Sequence, residues 1–261
     1  MDLEALAERV KAGDARSVSR LITLIENQDA DGAALLKRLQ PSNSKAEVIG
    51  ITGYPGAGKS TLIAQLVTAY RRQHMKVAIL AIDTSSPVSG GAILGDRIRM
   101  QEHSLDSGVF IRSMASRGQY GGVARATADA VGVLKTAGFD IIFVETIGVG
   151  QADVEIASIA GTVVVVAAPG LGDEVQAMKA GLLEVAHIVV VNKADREGAD
   201  TTIRDLSEWT ARVVRTVATK GEGLPELIQA IAEHQRVLKI QDQPISGNGT
   251  RLHHSSDLPP I

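Results

Sequence analysis

One eight-residue run constrains this chain more than any other. GYPGAGKS, Gly53 to Ser60, fits the pattern G-x-x-x-x-G-K-[ST] and lies between a β-branched stretch, EVIGIT (47–52), and a helix-forming one, 59–73. Glycines let the backbone curl with its amides turned inward. The lysine ammonium then reaches β- and γ-phosphate oxygens, the serine hydroxyl is placed to ligate Mg²⁺, and the helix N-terminus adds a favourable dipole. A chance glycine-rich turn needs neither the strand before it nor the helix after it. The pattern therefore predicts a fold that binds a nucleoside triphosphate with Mg²⁺ through Gly53, Gly56, Ala57, Gly58, Lys59 and Ser60.

The rest of the chain fits that frame. Short β-branched runs recur at VAILAID, VFIRS, IIFVE, TVVVVAA, HIVVVN and VVRTVA, apolar on both faces as strands covered on each side by helices are. Helical stretches are expected between them at 59–73, 122–136, 173–182 and 224–237. Alternation of this kind predicts an α/β domain with a mostly parallel, doubly wound sheet. Residues 3–39 read as two or three short helices whose apolar face includes Leu21, Ile22, Leu24 and Ile25, and QPSNSK (40–45) as a polar break. The expected organisation is an N-terminal helical segment at 1–45, a nucleotide-binding domain at 46–240, and a flexible tail, rich in Pro, Gly and Ser, at 241–261.

Composition narrows the function classes. In 261 residues, 44% hydrophobic, there is enough apolar material for one large domain with a substantial core. Basic and acidic residues number 27 and 30 with no basic stripe, so nucleic acid is not an expected partner. The absence of cysteine excludes disulfides, thiolate metal sites and cysteine nucleophiles, and fits a reducing cytoplasm. MDLEALAERV is acidic and amphipathic, unlike a secretory signal, and the longest apolar run, TVVVVAAPG, is too short to span a bilayer. A soluble cytoplasmic protein without a membrane partner is expected.

IVVVNKAD (188–195) indicates which base is read. An aspartate carboxylate at Asp195 accepts from both N1–H and the 2-amino group of guanine, a donor pair that adenine lacks. The wrong base leaves that carboxylate unpaired, so discrimination is strong. Asn192 would hold the loop, the Lys193 stem would cover the purine face, and Ala218 and Thr219 in TVATKGEG are the expected further contacts. GTP is favoured over ATP.

Three acids fall at or just after strand ends, where open α/β sheets bind ligands. Asp83 ends VAILAID, Glu145 ends IIFVE, and Asp96 lies in SGGAILGDRIRM; each could hold Mg²⁺ directly or through water. For Asp96 a solvated loop charge is an equally good reading. VETIGVGQAD (144–153) resembles a γ-phosphate-sensing switch, yet Val149 follows Gly148 where many GTPases carry a water-orienting glutamine. Arg112, Arg117 and Tyr120 precede a helix, and His253 and His254 sit in the tail without acid or Cys partners, so none is given a catalytic or metal role. Trp209 is expected to pack its helix against the sheet.

Taken together, GYPGAGKST, AIDTSSPVSGGAILGDRIRM, SRGQYGGVARAT, FVETIGVGQAD, APGLGDEVQAMKAGLLE and VNKADREGAD resemble the MeaB/MMAA (ArgK-like) G proteins over roughly residues 5–240. That family belongs to the SIMIBI class of P-loop NTPases, whose members include signal-recognition and nickel-insertion GTPases. The resemblance implies GTP/GDP and Mg²⁺ as ligands. It also implies GTP hydrolysis coupled to adenosylcobalamin loading and protection of an acyl-CoA mutase, notably methylmalonyl-CoA mutase. By the same resemblance Gly53 through Thr61 binds the phosphates, and Lys59 and Glu145 belong to the catalytic set. Ser60, Asp83, Asp96 and Glu145 form the Mg²⁺ and switch region, and Asn192, Lys193 and Asp195 recognise guanine. With valine at 149, hydrolysis by the isolated protein should be slow and completed by the mutase, with Gln151 the candidate in cis. Departures are GQAD in place of the more usual Gly-Gln-Ser-Glu, and His187 where an aspartate is common, read here as a surface residue. The family's homodimer is supported by an extension after the last helix, and that extension is shorter here. Two other classes stay open. An ArgK-type kinase or ATPase linked to amino-acid transport has no need of a guanine clamp, and a nickel metallochaperone predicts a Cys/His site.

Overall fold

The structure, a computed structural model, describes residues 2–39, 45–83, 103, 105–115, 122–146, 152–170, 178, 181–210 and 212–241, with the backbone alone at 83, 115, 122–124 and 152–153. Three helices open the chain: α1 (Leu3–Lys11), α2 (Ala15–Glu26) and α3 (Ala30–Arg38). Each begins at an aspartate whose carboxylate accepts from amides of the first turn. Asp2 takes those of Glu4 and Ala5, Asp14 that of Ser17, and Asp29 that of Asp31. These caps fix the three starts, since the first amides of a helix have no partner within it.

Then come β1 (Glu47–Thr52), α4 (Lys59–Arg72), β2 (Val77–Asp83), β3 (Val109–Ala115), α5 (Gly122–Thr136) and β4 (Ile141–Thr146). The chain continues through the four-residue α6 (Ala152–Glu155), β5 (Thr162–Ala167), β6 (Ile188–Val191), α7 (Ala199–Ser207), β7 (Val213–Arg215) and α8 (Leu224–Gln241). The seven strands form one sheet in the order β3-β2-β4-β1-β5-β6-β7, every pair parallel. Successive strand residues divide between two cores. Val163, Val165, Val189 and Val191 join the side covered by α1–α3, α5 and α7, and Val164, Val166, Ile188 and Val190 join the side covered by α4 and α8. A strand buried on both faces has no polar alternation, which is why its sequence reads as an unbroken β-branched run.

β1 is flanked by β4 and β5, and the connection from β1 runs to β2 toward one sheet edge whereas that from β4 runs to β5 toward the other. A crevice therefore opens beyond its C-terminal end, where parallel sheets bind ligands. The register places Ile51 beside Glu145, Thr52 beside Val165, and Asp83 beside Ala115.

The structure departs from the sequence reading at several points. The first segment contains three helices, within the two or three expected, whereas α8 runs through Gln241, beyond the expected helix end at 237. α7 is a helix that the sequence reading did not include. VVRTVA is strand only over Val213–Arg215, because Thr216 and Ala218 turn to bond Asn192. The helix expected at 173–182 and the break at 40–45 lie almost wholly outside the described residues. Trp209 does not pack its helix on the sheet: it is 57% exposed just beyond the end of α7. No helix among the described residues is long and apolar enough to cross a membrane.

Candidate functional site

The GYPGAGKS run leaves β1 and enters α4 at the crevice. Gly53 has φ of +130°, and a Cβ there would collide with the Val166 carbonyl on β5. Glycine is thus required twice, by the dihedral and by the neighbouring strand. Gly58, the residue before α4, has φ of +95°, and a Cβ there would strike the Asn192 side-chain amide. Ala57 is buried, Gly56 exposed, and Thr61 half-buried in the first turn. Lys59, 7% exposed, folds over the loop and donates to the carbonyls of Gly53 (2.6 Å) and Tyr54 (3.1 Å). Its ammonium is therefore held above the concave face, surrounded by the loop whose amides would face a polyphosphate.

At the next position Ser60 donates its hydroxyl to Glu145 Oε1 at 2.8 Å. Both side chains are buried, and Glu145 belongs to β4, next to β1. Two hard oxygen donors in contact beside a lysine-bearing loop form a pair that suits Mg²⁺, a cation that prefers oxygen. Asp83 ends β2 at the same sheet edge. Asp96, Gln151, Gly148 and Val149 lie outside the described residues, as do Arg117, Tyr120 and the two tail histidines.

The turn expected to read the base follows β6. Asn192 is 2% exposed, and its amide reaches across to donate to the Ala57 carbonyl at 2.9 Å. Its carbonyl accepts from the Thr216 hydroxyl (3.2 Å) and the Ala218 amide (3.0 Å). Lys193 adopts a left-handed conformation, φ +55°, and donates to the Gly56 carbonyl at 2.6 Å. That conformation costs a non-glycine residue roughly 1–2 kcal/mol, and here it aims the ammonium at the phosphate loop. Asn192 and Lys193 thus bolt the base turn to the phosphate cradle and to the Ala218–Lys220 turn.

Asp195 is exposed, with Lys220 Nζ 3.2 Å from its carboxylate. That hydrogen bond is the main reason its carboxyl stays below the usual carboxylate range. Ala218 is buried, whereas Thr219 is exposed. Arg215 braces the turn from beneath, donating to the Ala194 carbonyl (2.8 Å) and to Asp200 (2.6 Å).

Sequence reasoning did not single out Thr216, Lys220 or Arg215. Only the adjacency of Lys220 to Ala218 and Thr219 hinted at its place. Arg112, left without a catalytic role, is occupied elsewhere: it donates to Thr23 Oγ1 (3.0 Å) and the Ser19 carbonyl (3.4 Å) and pairs with Glu26, all on α2. His187 is not merely a surface residue. It accepts from the Val163 amide and packs against His234, ring centroids 4.2 Å apart with planes tilted by 36°.

Comparison with known proteins agrees with this geometry. Residues 18–247 match the family model described as methylmalonyl Co-A mutase-associated GTPase MeaB. A protein of Pyrococcus horikoshii named as a GTPase is 48% identical over 96% of this chain and 83% of its own. The mouse protein named methylmalonic aciduria type A homolog, mitochondrial, is 37% identical over 72% of this chain and 48% of its own. Among solved structures, one titled LAO/AO transport system kinase superposes with a TM-score of 0.73 at 25% identity, covering 92% of this chain and 77% of that one. A phosphate cradle bolted to an Asn-Lys-x-Asp turn on a doubly wound parallel sheet, together with these relatives, places the chain in the MeaB family of GTP-binding, GTP-hydrolysing P-loop proteins.

Proposed function

We propose that this GTPase couples its nucleotide cycle to an adenosylcobalamin-dependent acyl-CoA mutase, with methylmalonyl-CoA mutase as the client, assisting cofactor loading and protecting the enzyme. The single observation that carries this reading is the family match over residues 18–247, whose description names association with that mutase. The name of the mouse relative points the same way.

In this reading water attacks the γ-phosphate in line, and GDP leaves with phosphate as the second product. Lys59 and the amides of Gly56–Thr61 stabilise charge developing on the β- and γ-oxygens. Ser60 and Glu145, with Asp83 and Asp96, are the residues that would hold Mg²⁺, which when bound neutralises phosphate charge. Asp195 reads the N1–H and 2-amino edge of guanine, Lys193 covers the base, and Ala218 and Thr219 close beside it. Gln151 is the candidate for orienting the water, in a switch whose Val149 cannot do so.

Hydrolysis measured with and without purified methylmalonyl-CoA mutase, with ATP as the control nucleotide, tests the proposal. Stimulation confined to GTP is expected; stimulation absent with an active mutase would overturn the client assignment. The solved neighbour, named as a transport system kinase, favours a phosphotransferase as second reading. Preference for ATP in the same assay would restore it.

A further inference from the structure

The turn after β6 takes much of its support from the edge strand β7. Pairing of the two strands reaches Val191 opposite Arg215. Two backbone bonds then carry it further: the Thr216 amide donates to the Val191 carbonyl (2.9 Å), and the Ala194 amide to the Thr216 carbonyl (3.1 Å). The Ala194 carbonyl accepts from a side chain. One terminal nitrogen of Arg215 donates to it at 2.8 Å, and the other donates to Asp200 of α7 at 2.6 Å. The Ala194 methyl is buried with Ala199 and Val217. Amide, carbonyl and side chain of Ala194 are thus all committed, and the residue that follows is Asp195.

We propose that Arg215 is a positioning residue for base selection: by holding the Ala194 carbonyl it sets where the Asp195 carboxylate stands against the purine edge, without itself touching the nucleotide. The inference rests on the guanine reading of Asp195 given above. A carboxylate that accepts from N1–H and from the 2-amino group must meet both donors at once, and hydrogen bonds weaken steeply as their angles close. A carboxylate free to swing satisfies one donor at the expense of the other. The support therefore protects the second bond, the one that a base without a 2-amino group cannot make.

Fold stability does not explain the arrangement. The Arg215 and Asp200 side chains are 55% and 79% exposed, and an ion pair so open to solvent contributes little to folding. What the pair does is hold the guanidinium under Ala194, in the one stretch of β7 that reaches the turn.

The test measures Kd for GDP and for IDP, whose hypoxanthine lacks the 2-amino group, by isothermal titration calorimetry. It uses the full chain and its Arg215→Met and Asp200→Ala variants, each checked for folding by circular dichroism. One hydrogen bond to a charged group should give the wild type a GDP preference of roughly tenfold or more. In Arg215→Met that preference should shrink at least about fivefold, chiefly through weaker GDP binding. A general loosening of the fold would weaken both diphosphates alike and leave their ratio in place. An unchanged ratio in folded Arg215→Met therefore overturns the inference and leaves the guanine reading intact. If Arg215→Met does not fold, Asp200→Ala decides, because it removes the outer anchor of the guanidinium. A reduced GDP preference there supports the inference, and the wild-type preference overturns it. A wild-type chain that binds GDP and IDP equally overturns the guanine reading and the inference together.

Discussion

Ser60 donates its hydroxyl to Glu145 across 2.8 Å, joining the first turn of α4 to the end of β4 through two buried side chains. The two residues are 85 apart in sequence. Both are oxygen donors, and both lie beside the lysine that covers the phosphate loop.

If the pair holds Mg²⁺, Glu145→Gln removes a charge while keeping shape and an acceptor. The expected loss in GTP turnover is on the order of a hundredfold, comparable to removing one preorganised electrostatic contact. The Mg²⁺ concentration for half-maximal activity should rise, while GDP binding, dominated by loop amides and the base turn, changes little. Hydrolysis measured across a Mg²⁺ titration checks this. An unchanged half-maximal concentration would place the metal elsewhere.

Asp195 gives a sharper discrimination. Exchanging its carboxylate for the amide of asparagine removes one acceptor and supplies a donor, so Asp195→Asn should lose GTP and gain XTP, whose ring carries a carbonyl at position 2. By analogy with other sites that read a hydrogen-bonding edge, discrimination should shift by roughly 10³-fold or more. Competition of both nucleotides against a fluorescent GDP analogue reads the exchange. Lys220 holds the carboxyl ionised below the usual range, so GDP affinity should not fall as pH drops from neutrality to the ordinary carboxylate pKa of about 4. In Lys220→Met the loss should begin at higher pH.

Much of this was legible in the sequence, for identifiable physical reasons. Strands buried on both faces need unbroken β-branched runs, so the inner strands were visible in outline, and the short edge strand β7 was visible through Val213 and Val214 although it is only partly buried. The phosphate cradle was visible because glycine at 53 and 58, lysine at 59 and serine at 60 each meet a requirement no other spacing meets. What was not legible depends on residues far apart in the chain. Asn192 reaches Ala57 over 135 positions, and no local pattern encodes that bond. Trp209 was expected inside because large aromatics usually are, but α7 ends before it and leaves it on the surface. Lys220 was overlooked because an exposed lysine in a turn carries no local signal until its position beside Asp195 is known.

His187 and His234 predict a pH effect at the opposite end of the sheet. The Val163 amide donates to His187 Nδ1 at 2.9 Å, so that nitrogen must be unprotonated, and His234 Nδ1 lies 3.0 Å from the Thr162 hydroxyl. Burial lowers both pKa values, and His234 is lowered further by His187 and by Arg212, which itself pairs with Glu233. A histidine with a folded pKa below its unfolded value of 6.5 stabilises fully above 6.5. That stability is lost as pH falls from there through the folded pKa, because the unfolded chain takes the proton first. The melting temperature should therefore fall as pH drops from about 7.5 to 5.5, a window in which unperturbed carboxylates do not titrate. The fall should be smaller in His234→Gln. Equal slopes in the two proteins would exclude the pair as its source.

Arg112 and Glu26 make the last prediction. Their side chains are 20% and 11% exposed, and the guanidinium also donates to Thr23 and Ser19, so α2 is held to the edge strand β3 by a largely buried charged cluster. Removing one partner leaves a poorly solvated charge. Full burial would cost about 3–5 kcal/mol, and with the remaining solvent access Arg112→Met should destabilise by roughly 1–3 kcal/mol. Removing both is a different experiment, because apolar replacement also relieves desolvation. Arg112→Met/Glu26→Leu should recover at least about half of the loss. Urea unfolding of the wild type, both single variants and the double variant gives the coupling energy directly. A coupling near zero would mean that α2 is held by the apolar contacts of Leu21, Ile22 and Ile25 alone, with Arg112 contributing only through its bond to Thr23.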